Sequence, residues 1–179
     1  MIIKSPWHLC RYILTAVFLG MLSLVLTTSG ESFAQQNTYL PREHLVIDLK
    51  HDIEWLRCTV GKTWDGSDCV GEAVRLNHKQ VKIAVEQANQ QLGNGWRLPS
   101  LQELQDLLCE SCEELSYSKP LPMIDQKTFP STEPEPYWTN QKNGMSPSHY
   151  FSVNFFNGWT YGRFLPSQTL AVRLVRDRP

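Results

Sequence analysis

Residues 95–108 read G-W-R-L-P-S-L-Q-E-L-Q-D-L-L, and the fold is decided there. Trp96-Arg97-Leu98 is an apolar strand end that runs into Pro99. Ser100 is a good N-cap and Glu103 stands three residues on, so the two can form a capping box that satisfies orphan amide donors at a helix start. Leu101, Leu104, Leu107 and Leu108 then recur at helical spacing and predict one apolar face through residue 108. A strand running straight into a capped helix is a packing joint, and it carries no evident chemistry. Trp96, Arg97, Ser100 and Glu103 are therefore structural candidates.

Upstream, Lys4 and Arg11 precede an apolar run over residues 12–26, and Ser32-Phe33-Ala34 offers small residues where a signal peptidase reads. This pattern predicts a secretory signal peptide over residues 1–34, cleaved after Ala34. An uncleaved anchor is the alternative, since the run is near the lower limit for spanning a bilayer. Cys10 precedes the apolar run, so it is badly placed for lipid attachment. Cleavage would leave 145 residues, ample for one domain, with residues 35–43 as a flexible lead-in and residues 44–179 as the domain. The whole chain has a formal charge of −1, and losing Lys4, Arg11 and Glu31 makes it −2. That balance gives no electrostatic case for nucleic acid, and no stable membrane insertion is expected after cleavage. The expected address is the periplasm of a Gram-negative cell, ahead of release. Cys58, Cys69, Cys109 and Cys112 are an even set in an exported chain, and both local pairings, Cys58 with Cys69 and Cys109 with Cys112, are the expected disulfides.

In chain order, residues 45–49 and 53–58 read as strands, with Ile53, Trp55 and Arg57 on one face of the second. Residues 59–71 form a loop punctuated by Gly61, Gly66 and Gly71. Asn77 with Gln80 repeats the capping logic, and Val81, Ala84, Val85, Ala88 and Leu92 line one helical face until Gly93-Asn94-Gly95 stops it. Residues 116–136, rich in proline, serine and acid, read as an ordered surface loop. Residues 137–139 are a strand, and residues 151–155 alternate as a half-buried one. Asn157-Gly158 signals a hairpin returning through Trp159 and Tyr161, and residues 170–176 fit a final strand. Arg173, inside that apolar run, is a further structural candidate because a buried guanidinium needs carboxylate or carbonyl partners. The fold class is α+β: two helices packed on a small twisted, mostly antiparallel sheet with long ordered loops and two disulfides.

These pieces together resemble the Lcl C-terminal-type domain family (the C-terminal domain of the Legionella collagen-like protein). The resemblance runs over residues 45–176. It rests on W-L-R-C at 55–58, W-D-G-S-D-C-V-G at 64–71, W-R-L-P-S-L-Q-E-L at 96–104, Y-W-T at 137–139, V-N-F-F-N-G at 153–158 and V-R-L-V-R at 172–176. It implies a C-type-lectin-like fold, shared more distantly with formylglycine-generating enzymes, in which first and last strands pair. It also implies an exported protein, some members of the family binding surface polysaccharide or host glycan. The expected function is a non-catalytic binding or structural module whose candidate partner is a glycan or an envelope protein.

Each chemical candidate has a structural competitor. Cys109-Glu110-Ser111-Cys112 has redox C-x-x-C spacing, so a thiol–disulfide accessory protein is the alternative function. The pair follows the end of a helix among Glu110, Glu113 and Glu114, however, where every nearby field disfavours a thiolate and favours a structural disulfide. The formylglycine-generating chemistry needs a cysteine pair late in the domain, and no cysteine follows Cys112. Glu133-Pro134-Glu135 is similar to a lectin calcium signature, but Asn154 and Asn157 are its only evident helpers, and calcium takes six to eight oxygens. Asp65 and Asp68 read as turn formers. His44, His51, His78 and His149 are scattered without metal spacing. The expectation is no enzyme, no cofactor and no metal. Tyr150, Phe156, Asn157 and Trp159 are the candidate ligand surface, where rings stack on sugar faces and amides read hydroxyls. A second small core under the loops competes with that reading. Oligomeric state is not legible.

Overall fold

The computed structural model describes residues 38–109 and 122–179, all within the unit Gln36–Pro179. The leader expected over residues 1–34 and Cys112 lie outside them. In order, the elements are β1 (Tyr39–Arg42), β2 (Leu45–Asp48), β3 (Ile53–Leu56), β4 (Thr63–Trp64), β5 (Cys69–Val70), α1 (His78–Leu92), α2 (Leu101–Gln105), β6 (Pro136–Asn143), β7 (Ser146–Asn154), β8 (Thr160–Phe164) and β9 (Val175–Asp177). They build an antiparallel sheet in the order β1-β2-β3-β9, a ribbon β4-β5 and a second antiparallel sheet β6-β7-β8. An α+β domain is the result, with two sheets and a ribbon where a single small sheet was expected. The last strand pairs with β3, not with the first strand.

Part of the expected lead-in is sheet: residues 39–42 form an edge strand on β2. Pro41 is tolerated there because an edge strand has a side that needs no amide donor. Val46 and Trp55 face each other across β2 and β3 and are wholly buried.

α1 begins with the expected capping box, in which Asn77 Oδ1 accepts from the Gln80 amide at 3.0 Å and Gln80 Oε1 accepts from the Asn77 amide at 3.0 Å. Val81 and Ala88 are buried, while Leu92, expected on the same face, is exposed. The last turn has no basic residue of its own, and Arg176 supplies one by donating to the Leu92 carbonyl at 3.1 Å. α2 also carries its capping box, but it ends at Gln105 and not at Leu108. The chain tightens there into i→i−3 bonds, with the Leu107 amide donating to Leu104 and the Leu108 amide to Gln105. The apolar face survives the change: Leu104 and Leu107 are buried, and Leu101 and Leu108 pack on the same core.

The expected final strand is regular only over Val175–Asp177. Residues 170–174 are an extended, fully buried spine whose partners come from separate segments. Leu170 exchanges bonds with Leu76, Ala171 with Pro136 and Trp138, and Val172 and Leu174 accept from the amides of Val60 and Leu56. Side chains alternate along it, as an extended chain requires. Ala171 and Val175 join one core with Trp55, Phe129 and Phe155, while Leu170, Val172 and Leu174 join the other with Trp96, Trp138 and Val81. The described part of the expected surface loop is also core, since Ile124, Thr128, Phe129 and Thr132 are buried.

One disulfide, Cys58–Cys69, joins described residues, not the two expected. Cys109 is oxidised as well, but Cys112, the partner expected for it, lies outside the described residues.

Candidate functional site

The structure divides the four aromatic-surface candidates. Phe156, Asn157 and Trp159 sit on the connection from β7 to β8, and Phe156 and Trp159 are 52% and 66% exposed. Tyr150 is elsewhere. Its ring lies 3.7 Å from that of His78 and 6.2 Å from that of Trp138, half-buried against the second core, so the structure does not bring it together with the other three. Burial also lowers the His78 imidazole below its ordinary value.

The tip itself is held by its own asparagines. Asn154 Oδ1 accepts from the Phe156 amide at 2.9 Å, and Asn157 Oδ1 accepts from the Trp159 amide at 3.1 Å. These side-chain turns fix a loop without burying it. Asn157 Nδ2 donates to the Tyr161 hydroxyl at 3.0 Å, and the Tyr161 ring stands 6.4 Å from Trp159 with the Arg163 guanidinium 4.9 Å over its centre. Gly158 takes φ +71°, and a side chain there would press on Met123. Tyr161 and Arg163 were not among the expected site residues. Their i, i+2 and i, i+4 spacing from Trp159, along a strand that puts alternate residues on one face, was the available signal.

A second concavity lies between α1 and the disulfide-closed loop, with a volume of about 730 Å³. Its floor includes Leu56, Val60, Ala88 and Leu174, and Trp64 forms a wall. The Arg57 guanidinium stacks 3.8 Å from the Trp64 ring centre and donates to the carbonyls of Thr128, Lys127 and Glu43, so the wall is braced from behind. Asp65 and Asp68 are turn formers, as expected. The amides of Asp68 and Ser67 donate to Asp65 Oδ1 and hold that carboxyl below its ordinary value. Gly61, at φ +100°, has no room for a Cβ, which would meet Glu72 O at 2.5 Å. Nothing in local sequence spacing announces this cleft.

Trp55 and Trp96 are buried in the two cores. Arg97 makes a fork to Glu103, at 2.8 and 2.9 Å, and reaches Asp177 at 2.8 Å. Burial alone would raise the Glu103 carboxyl, but that guanidinium and the Ser100 amide hold it lower. Arg173 is wholly buried. It donates to the carbonyls of Leu56 and Arg57 and to the hydroxyls of Thr132 and Thr59. Burial lowers this guanidinium below its ordinary value, and Tyr137 and Glu133 partly restore it.

Glu133 is not turned toward a calcium site: it pairs with Lys62 and accepts from the Tyr137 hydroxyl at 3.1 Å. Glu135 pairs with Arg75. His51 lies between two carboxylates, with Nδ1 2.7 Å from Asp48 and Nε2 3.4 Å from Asp106. Among the described residues no group of three or more His, Cys, Asp or Glu side chains is placed to hold a metal ion, and no helix is long and apolar enough to cross a membrane.

Residues 44–176 match the family described as the Lcl C-terminal domain. No curated protein and no solved structure matches the chain.

Proposed function

This chain belongs to the Lcl C-terminal domain family, and from that premise and the geometry of the β7–β8 tip we propose that it is an exported, non-catalytic binding module for a saccharide at the cell envelope. The observation that carries this reading is Trp159, a large ring left 66% exposed on a loop that its own asparagines hold in place. A fixed, exposed indole beside a tyrosine offers a flat apolar face to a sugar ring, at little cost in side-chain ordering. The nearby Asn157 amide and Tyr161 hydroxyl bond to one another and supply polar groups that a sugar hydroxyl can join. The disulfide supports an oxidising compartment. The C-type-lectin-like placement of the fold belongs to this proposal and rests on the family resemblance.

A glycan-array screen of the purified protein, followed by titration of the best binder with tryptophan fluorescence as readout, tests it. The expected result is saturable binding that Trp159→Ala weakens at least about tenfold, roughly 1.4 kcal/mol, with the melting temperature unchanged. A Trp159→Ala protein that binds the same glycan as tightly as the parent refutes the assignment.

A further inference from the structure

We propose that the cleft between α1 and the disulfide-closed loop is a second binding site, which takes a short cationic peptide segment in extended conformation.

Size comes first. About 730 Å³ lies within the roughly 300–1,000 Å³ range of small-ligand pockets. The floor is apolar and includes Leu56, Val60, Ala88 and Leu174. Charge narrows the occupant. Lys62 is the permanently charged cation in the lining, which also holds the His44 imidazole, and Lys62 is already committed to the Glu133 carboxylate and to the Ser131 carbonyl. Arg57, behind Trp64, is committed to three carbonyls and the indole face. Two carboxylates on the rim, Glu43 and Asp65, have no cation within 4.0 Å among the described residues. Glu43 is sensed at longer range by the Arg57 guanidinium, and Asp65 holds its turn through Oδ1 alone, with no hydrogen bond to its Oδ2 among the described residues. Glu43 stands at the turn between β1 and β2, and Asp65 beyond β4, so they approach the cleft from different elements. An anion would find two carboxylates here and no uncommitted lysine or arginine; a cation would find complementary charge.

Spacing then selects a peptide strand. Gln87 and Gln91 both line the cleft from α1, and neither side chain is engaged by another described residue. Residues four apart on a helix present side chains about 5–6 Å from each other. An extended peptide repeats every two residues, roughly 6.6 Å, with an amide donor and a carbonyl acceptor in each repeat. Two carboxamides at that separation can each donate to and accept from successive repeats. Lysine or arginine stems would then lie over the apolar floor while their heads reach Glu43 and Asp65.

Fluorescence anisotropy with a labelled heptapeptide of alternating Lys and Leu, and with its Glu/Leu counterpart, tests the assignment. The Lys/Leu peptide should bind saturably and the Glu/Leu peptide should not. The double variant Glu43→Gln, Asp65→Asn should weaken binding about tenfold, while the charge-matched control Glu72→Gln, Glu86→Gln should not. Ala84→Trp, which fills the cleft from α1, should abolish binding; both rim residues are exposed, so the double variant decides the matter even if the Trp variant fails to fold. Trp159→Ala should leave peptide binding unchanged, which separates this site from the saccharide reading. Equal loss in the charge-matched control, binding of the Glu/Leu peptide, or displacement of the Lys/Leu peptide by a neutral oligosaccharide would each overturn the proposal.

Discussion

Replacing Arg173 tests the account of the core most severely. The side chain is 0% exposed, and no carboxylate among the described residues lies within ion-pair distance of it. Its Nη1 donates to Leu56 O at 3.1 Å and Arg57 O at 2.7 Å, and its Nη2 to Thr132 Oγ1 at 2.8 Å and Thr59 Oγ1 at 3.4 Å. The guanidinium also stacks 4.8 Å from the centre of Phe129. Each such charge-assisted bond contributes roughly 1.5–3 kcal/mol net, and each orphaned buried group costs about 1–3 kcal/mol. Removing the side chain also removes the cost of burying its charge, so the four terms do not simply add. Losing one member of a buried charged network costs about 3–5 kcal/mol.

Arg173→Ala is therefore expected to lose about 4 kcal/mol, part of it from the cavity left under Phe129. In a domain of this size that lowers the melting temperature by roughly 12 °C. Arg173→Met keeps most of the volume and still orphans the four acceptors, so it should lose about 3 kcal/mol. Urea melts with unchanged m values give the comparison directly. If the Met variant melts with the parent, desolvation of the guanidinium cancels its bonds, and the network is not what stabilises the spine.

Ser100→Ala should cost about 1 kcal/mol, because Ser100 Oγ accepts from the Glu103 amide at 3.2 Å, and should change no ligand affinity. A chemical melt overlaying the parent's would contradict the helix boundary. Arg97 is 35% exposed, so Arg97→Ala should cost about 2 kcal/mol, between surface and buried pairs, and Arg97→Lys should recover only part. Its partner sets a pH dependence: Glu103 is held below its ordinary value, so the stabilisation is complete above the unfolded glutamate value of about 4.3 and is lost as pH falls through the lower folded value. Melts from pH 7 to pH 2 should show a shallower acid limb in Arg97→Ala, and parallel limbs would refute the linkage.

What the sequence makes legible is what three or four neighbouring residues decide. Both capping boxes are of this kind, since Ser100 with Glu103 and Asn77 with Gln80 lie within one turn. The end of α2 is not. Leu107 and Leu108 continue the helical pattern, yet the next amide, that of Cys109, is drawn to the Met123 carbonyl, and tertiary pairing overrides the period. Residues 170–174 have strand composition, but their partners come from four segments that no local rule connects. Tyr150 lies apart from the other three aromatic-surface candidates because alternation sorts faces without saying which are covered. His78, at the start of α1, covers the face opposite Val153, and even Ser152 is wholly buried. The β6–β7 hairpin turns through Gly144-Met145, with Asn143 paired to Ser146, a second short turn beside the one signalled at Asn157-Gly158.

The two candidate sites differ in legibility for the same reason. Phe156, Asn157 and Trp159 are consecutive enough to be seen as a group, whereas the cleft is assembled from the β1–β2 turn, the disulfide loop, α1 and Leu174. Only the folded chain brings Glu43 within reach of Gln91. Both sites nevertheless depend on the spine. Leu56 and Val60, in the cleft, bond to Leu174 and Val172, while Ala171 bonds to Pro136 and Trp138 at the same end of the second sheet as the β7–β8 connection that carries Trp159, since Pro136 pairs with Asn154. A substitution at Arg173 would loosen both ends at once, so a loss of binding there would assign nothing. Trp159 and the pair Glu43 and Asp65 are the informative positions, because each is exposed and each belongs to one site alone.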